Sequence, residues 1–305
     1  MAADERHETL VIVNPVAHNL PSRRRLDEAA GWLRARGWEA EWRETDGPGE
    51  ATELARGAAE SGLPLVFACG GDGTLNEAAN GLAGSETALA PIRAGTVNLW
   101  AREIGVPRRP RDAVRAAIEG ERRKVDLGRA GERLFLLMAG FGLDGAIARR
   151  ASMRLKGRFG ATAYAIAALR EVFRHRSSRV RLRLDDESLE ADVLMLIAGN
   201  TRSYAGLTQI ATEAVADDGL LDVCVYRGKG SLDIVLHAVR TLLRRHRKSK
   251  KVVYRQVKRL ELSSEEPLPV QLDGDAFEGS PATVEVAPGA LWVAVPQGLR
   301  SPLFR

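Results

Sequence analysis

The chain has 305 residues, enough for two domains of ordinary size, and its 45% hydrophobic and 28% charged residues supply ample material for a globular core. The net charge of +5 fits partners that carry negative charge (nucleotides, phospholipid headgroups or nucleic acid) without choosing among them. Two cysteines, Cys69 and Cys224, stand far apart in apolar runs; they leave no disulfide framework or metal spacing and read as two buried thiols.

Residues 1–8 are polar with no apolar signal core, and no apolar run approaches the ~20 residues that span a bilayer. The expectation is a cytoplasmic protein without a transmembrane segment, touching membrane only from the surface. Residues 9–13 form a β-branched run ending in Asn14-Pro15. Residues 23–36 have helical spacing, with Leu26, Ala29, Ala30 and Leu33 on one face, and Gly37 stops them. Trp38, Ala40 and Trp42 alternate with charged residues as in a half-buried strand. A helix over 50–60, a buried strand over 65–69 and a helix over 74–82 follow. This alternation predicts a parallel sheet with helices on both faces.

After about residue 126 the texture changes. Residues 133–139 are apolar, residues 180–184 alternate strictly, and 191–198, 220–226, 252–262, 270–272, 283–286 and 291–295 continue a series of short strands. Two helical stretches, 161–175 and 232–247, interrupt it. The expected second domain is β-rich and sandwich-like. We place the domains at 1–125 and 126–305, the last residues being free to return to the first.

The chemistry centres on Gly70-Gly71-Asp72-Gly73-Thr74-Leu75-Asn76, between a strand and a helix. Glycines there permit positive φ and let backbone N–H groups approach an anion, and the helix N-terminus adds to the site. Asp72 repels phosphate, so its natural role is to orient magnesium or water beside it. Thr74 can cap the helix and offer its hydroxyl. The competing reading is a tight turn in which glycine serves sterics alone. The loop lacks the Lys-Ser/Thr ending of a P-loop and does not match the dinucleotide fingerprint. A second loop, Ala94-Gly95-Thr96-Val97-Asn98, also precedes a helical stretch, and with Asn14 it would line the same sheet edge.

Together these residues resemble the diacylglycerol kinase catalytic-domain family, which includes bacterial lipid kinases and the sphingosine and ceramide kinases. The likeness covers nearly the whole chain. Asn14-Pro15, Gly70 to Thr74 and Gly95-Thr96-Val97-Asn98 resemble its first-domain motifs. Gly140-Phe141-Gly142-Leu143-Asp144, residues 200–206, Asp217-Asp218-Gly219-Leu220-Leu221-Asp222 and Asp273-Gly274-Asp275 resemble those of the second. The resemblance implies a Rossmann-like α/β nucleotide-binding domain joined to a β-sandwich, and transfer of the ATP γ-phosphate to a lipid hydroxyl. It implies ATP contacts at Asn14, Thr45, Gly70, Gly71, Asp72, Gly73, Thr74, Leu75, Asn76, Gly95, Thr96 and Asn98. It further implies a structural Mg²⁺ at Asp218 with the carbonyls of Val215 and Leu220, and Asp275 as general base facing the nucleotide from the second domain, beside the catalytic Asp72. Read without the family, Asp273-Gly274-Asp275 is an ordinary solvated hairpin turn.

Two positions depart from the family pattern. Leu99 stands where an aspartate is usual, and Arg93 where a proline commonly precedes Gly-Thr. Either could mark a different acceptor or a weakened catalyst. An NAD kinase, which shares the glycine loop, and a nucleotide- or lipid-binding protein without catalysis are the alternatives.

Basic residues crowd residues 240–251, after Leu232, Val235, Leu236, Val239, Leu242 and Leu243 at helical spacing. Such a helix can lie on an anionic bilayer. The ordinary case, which we favour from sequence, packs the apolar stripe on the second domain and leaves a solvated basic end. Residues 149–158 form a weaker basic candidate. No aromatic-rich basic face supports nucleic-acid binding. The oligomeric state stays open, a homodimer included.

Overall fold

A computed structural model describes residues 7–154, 171–172 and 174–305. Its contacts divide the chain into two units, Met1–Leu127 with Pro288–Arg305, and Gly128–Ala287.

The first unit opens with β1 (His7–Val13), α1 (Arg23–Arg34), β2 (Trp38–Glu44), α2 (Glu50–Glu60), β3 (Leu65–Gly70), α3 (Asp72–Leu82) and β4 (Ala88–Arg93). The short α4 (Leu99–Glu103) and α5 (Pro110–Ile118) come next, and β5 (Glu121–Ala130) leads into the second unit. Strands β2, β1, β3 and β4 lie side by side in that order and all run parallel. The central strands are buried on both faces, which is why β1 and β3 read as continuous apolar runs. Helix α1 buries Ala29, Trp32 and Leu33, whereas α2 buries only alanines, Ala51, Ala55 and Ala58. Strand ends thus gather on one edge, where the turns after β1, β3 and β4 meet.

The second unit is antiparallel. It contains β6 (Arg133–Phe135), β7 (Met138–Gly142), α6 (Leu143–Arg154), β8 (Ser178–Leu184), β9 (Glu187–Gly199), β10 (Ser203–Tyr204), β11 (Thr208–Gln209) and β12 (Leu221–Arg227). Helix α7 (Ser231–Leu242), β13 (Val252–Val257), β14 (Arg259–Ser264), β15 (Val270–Leu272), β16 (Asp275–Phe277) and β17 (Thr283–Val295) complete the chain. Strand β9 serves two sets of neighbours: its first half pairs with β8, and its second half lies between β7 and β12. That change of partners lets one long strand turn the sheet, and inward residues such as Phe141, Leu182, Leu196, Val223 and Leu260 fill the core. Strand β17 begins in the second unit against β14 and ends in the first, parallel to β4 through Trp292 and Val293. The chain is therefore an α/β domain with a parallel sheet and a β-sandwich-like second domain. The helix predicted at 161–175 falls almost wholly outside the described residues. The helix predicted at 232–247 ends earlier, at Leu242, because Arg244 takes a left-handed φ of 53°.

Candidate active site

In the first unit the two glycine loops press together. A Cβ on Gly95 would lie 2.5 Å from the Cα of Gly71, and one on Gly70 would lie 2.4 Å from the Thr74 side chain. The expected positive φ is not used at Gly70 or Gly71, since Gly71 sits at φ −90°. Close approach requires the glycines at 70 and 95 instead. Thr74 does not cap α3 either: Gly71 is the N-cap, it has no side chain to offer, and Thr74 lies inside the first turn. An uncapped helix start leaves its first N–H groups without partners inside the helix, which suits an anion.

Polar side chains hold the loops in register. Asn14 donates its Nδ2 to Thr74 Oγ1 (3.0 Å) while its backbone N–H meets the Cys69 carbonyl (2.9 Å). The N–H of Thr45 reaches the Val13 carbonyl (2.9 Å), bringing the loop after β2 to the same edge. Asn98 closes the second loop on itself, with Oδ1 accepting from Gly95 N–H (3.0 Å) and Nδ2 donating to Gly95 O (2.6 Å). Thr96 between them is exposed. Leu75 and Asn76 face inward; Asn76 is held by the Asn80 amide, so both support the loop from behind. Asn19 had no sequence signal, yet its Nδ2 donates to Gly95 O (3.1 Å) and its N–H to Ala94 O (2.8 Å).

Asp72 bridges the two loops. Its Oδ2 accepts from Leu99 N–H (2.9 Å) and its Oδ1 from Trp100 N–H (3.2 Å), so it caps α4 from across the crevice. Burial raises its carboxyl above the ordinary carboxylate range, while those N–H groups and Arg93 pull the other way.

In the second unit, Asp273 and Gly274 form the two-residue turn between β15 and β16, with φ of 52° and 95°. The Asp273 carboxylate accepts from the N–H groups of Leu136, Leu137 and Met138 at 2.7, 2.8 and 2.9 Å. Asp273 is thus a fixed anchor rather than a solvated turn residue. Asp275, at the start of β16, is exposed at its surface, yet surrounding protein desolvates its carboxyl and raises its pKa; Arg133 opposes that rise. Beneath the hairpin, buried Asp144 accepts from the Tyr204 hydroxyl and from Gln271 Nε2 (2.6 Å), and Gln271 Oε1 accepts from Gly274 N–H (2.6 Å). A Cβ on Gly140 would lie 1.8 Å from Asp144 Oδ2, which explains the glycine of that motif.

Residues 8–130 match the diacylglycerol kinase catalytic domain, and residues 138–295 match the YegS C-terminal NAD kinase beta sandwich-like domain. A Chromohalobacter salexigens protein named "Probable lipid kinase YegS-like" is 34% identical over 295 residues, covering 95% of this chain and 94% of that protein. A Staphylococcus epidermidis protein named "Diacylglycerol kinase" is 31% identical over 274 residues, covering 88% and 86%. The chain belongs to the diacylglycerol kinase family. A solved diacylglycerol kinase structure from Bacillus anthracis superposes with a TM-score of 0.76 over 96% of this kinase and 98% of that chain, at 23% identity, a likeness of fold.

The departures at Leu99 and Arg93 now have surroundings. Leu99 is buried, and its backbone rather than its side chain meets Asp72. Arg93 is half-buried; burial and then the nearby cations Arg108 and Arg102 lower its pKa, while Asp72 raises it. The kinase thereby gathers three guanidinium groups near the braced loops. The sequence marked Arg93 only as a departure, fitting a different acceptor or a weakened catalyst, and did not show this positive field.

The proposed metal loop is less complete. Asp218 Oδ1 accepts from Leu220 N–H (2.9 Å). Among the described residues, no three His, Cys, Asp or Glu side chains converge as a metal site. Burial first, then Asp218 and Glu213, raise the carboxyl of Asp222 to about 6, so the loop is electronegative. Its oxygen donors are of the kind a hard cation takes, provided that the main-chain carbonyls of Val215 and Leu220 join them.

Proposed function

We propose that this kinase transfers the γ-phosphate of ATP to the hydroxyl of a lipid of the diacylglycerol type. The observation that carries the reading is the backbone-to-backbone packing of Gly71 on Gly95, braced by Asn14, Asn98 and Asp72. It is the kind of surface that presents main-chain N–H groups to phosphates. In this reading Gly70, Gly71, Gly73 and Thr74 take the phosphates through the main chain, with Thr45, Gly95 and Thr96 as further contacts. Leu75, Asn76 and Asn98 keep the loops in shape. Asp72 fixes both loops and lends charge to any cation there.

Asp275 takes the proton of the attacking lipid hydroxyl onto a carboxylate oxygen, for which a raised pKa is suited. Magnesium, when bound, offsets the charge of the nucleotide phosphates. A structural ion would be held by Asp218 with the carbonyls of Val215 and Leu220. The protein would work from the cytoplasm at a lipid surface; no described helix is long and apolar enough to cross a membrane.

Incubation of the purified chain with labelled ATP, magnesium and a lipid panel tests the reading. The expected result is one labelled phospholipid that disappears in Asp275→Ala. Label in NAD alone would instead favour the second reading, an NAD kinase, which the description of the 138–295 match keeps in view. No labelled product from any acceptor would overturn catalysis altogether.

A further inference from the structure

Helix α7 faces the opposite way from the one its sequence pattern suggests. Its packed side is narrow: Ile234 lies against Leu143, Ile147 and Leu194, His237 shares a hydrogen bond with Arg227 O (2.9 Å), and Thr241 Oγ1 with the Tyr226 hydroxyl (3.1 Å). The apolar stripe expected to pack on the second unit points to solvent instead. Leu232 is 74% exposed and Leu242 62%, with Val235, Leu236, Val239 and Leu243 between and beside them. Leu207, 81% exposed, lies near the end of this helix, for its neighbour Thr208 donates to Thr241 O (2.8 Å). Only Val16 among the described large apolar side chains is comparably bare elsewhere. Apolar side chains scattered singly are ordinary on a surface, but a contiguous row along one helix is a docking face.

The rim of this row is positive. The helix closes with Arg244 N–H on Thr241 O (2.9 Å) and Arg245 N–H on Arg240 O (2.7 Å), which turns the chain straight into the basic segment. Arg247 is paired with Glu213, and Lys251 with Asp233. Arg244, Arg245, Lys248 and Lys250 have no acidic partner among the described residues. A cavity of about 380 Å³ opens beside the helix, lined among others by Arg240, Lys248, Ser249, Lys250, Lys251 and a single carboxylate, Asp233, which Lys251 neutralises. The weaker candidate at 149–158 carries less: Arg150 is paired with Glu171, and its later residues lie outside the described ones.

We propose that α7 and the segment 244–251 dock on the surface of an anionic lipid bilayer. The apolar row enters the acyl boundary, and the basic cavity receives the phosphate of an anionic headgroup. Charge selects this occupant: the unpaired charges at the rim are cationic, and a second copy of the chain would bring the same sign to the contact. The docking face uses none of the nucleotide or acceptor chemistry, so it stands or falls separately from the kinase reading.

Flotation of the full-length chain, without ATP, on phosphatidylcholine vesicles with and without phosphatidylglycerol tests it. Wild type should float with the anionic vesicles, and the double variant Leu236→Glu/Val239→Glu should partition at least about tenfold less. Lys248→Glu/Lys250→Glu should lose about fivefold per charge at low salt. Both variants alter exposed side chains, so their melting curves and their turnover of a monomerically dissolved short-chain diacylglycerol should match wild type. Three results would overturn the proposal: wild type that stays below the vesicles, equal capture by neutral and anionic vesicles, or undiminished flotation of the first variant. A wild-type dimer that the first variant converts to monomer would overturn it too, by assigning the face to a second copy.

Discussion

Asp275 combines an exposed position with a carboxyl raised by desolvation and lowered by Arg133. In its proposed role as general base Asp275 works ionised, so kcat/KM should rise with pH through that raised pKa, and the acid limb should lie above the usual carboxylate value of about 4. Removing Arg133 removes the lowering influence, so Arg133→Ala should move the limb to higher pH. A pH–rate profile on a soluble short-chain lipid reads both, and an unmoved limb in the Arg133 variant would contradict the pairing. Asp72 belongs to a different class of residue, since its carboxylate is spent on Leu99 and Trp100 N–H. We expect Asp72→Ala to lose turnover and also about 2 kcal/mol of stability, because two N–H donors lose their acceptor. A thermal melt unchanged from wild type would refute the brace. The sequence placed Asp72 in the site through its glycine neighbours, but not its partners, which lie 27 and 28 positions away on another loop.

At the scale of elements, spacing within one segment was legible and contact between segments was not. The strand-helix alternation, the helix read over 23–36 and found over Arg23–Arg34, and the Asp273-Gly274 hairpin could all be read, since each depends on neighbours in sequence. The anchoring of residues 136–138 by Asp273 could not, and neither could the close approach of the glycine loops. Periodicity likewise revealed a stripe on α7, but the favoured packing of that stripe on the second domain was wrong; the polar groups of His237 and Thr241, matched by Arg227 O and Tyr226, lie on the packed side instead. The loop packing makes its own prediction. Gly95→Ala puts a methyl 2.5 Å from Gly71 Cα, so backbone must shift. Affinity for an ATP analogue should fall at least about tenfold, by calorimetry, while the antiparallel unit keeps its hydrogen-exchange protection. An alanine variant that binds as wild type would show that the loops are not read together. Asp273→Ala should disorder the hairpin and remove turnover with nucleotide affinity intact, a split that binding and rate measurements together would expose.

On the scale of the molecule, the chain passes between its two units twice, within β5 and within β17. The returning half of β17 buries Leu291, Val293 and Val295 and pairs with β4. Three buried aliphatic side chains contribute about 6 kcal/mol, a large share of what holds a domain together. A chain ending at residue 287 should therefore lose the parallel unit, seen as insoluble protein or a missing helical signal; a soluble, cooperatively melting product would refute this. The same return has a consequence in the cell. The last strand of the parallel unit leaves the ribosome only after the antiparallel unit has been made. For the interval in which roughly 160 residues are added, on the order of 10 s, the half made first must wait with β4 as a bare edge. The nascent chain is most open to mispairing there, at the strand that carries the second glycine loop, and that is where a chaperone would have its work.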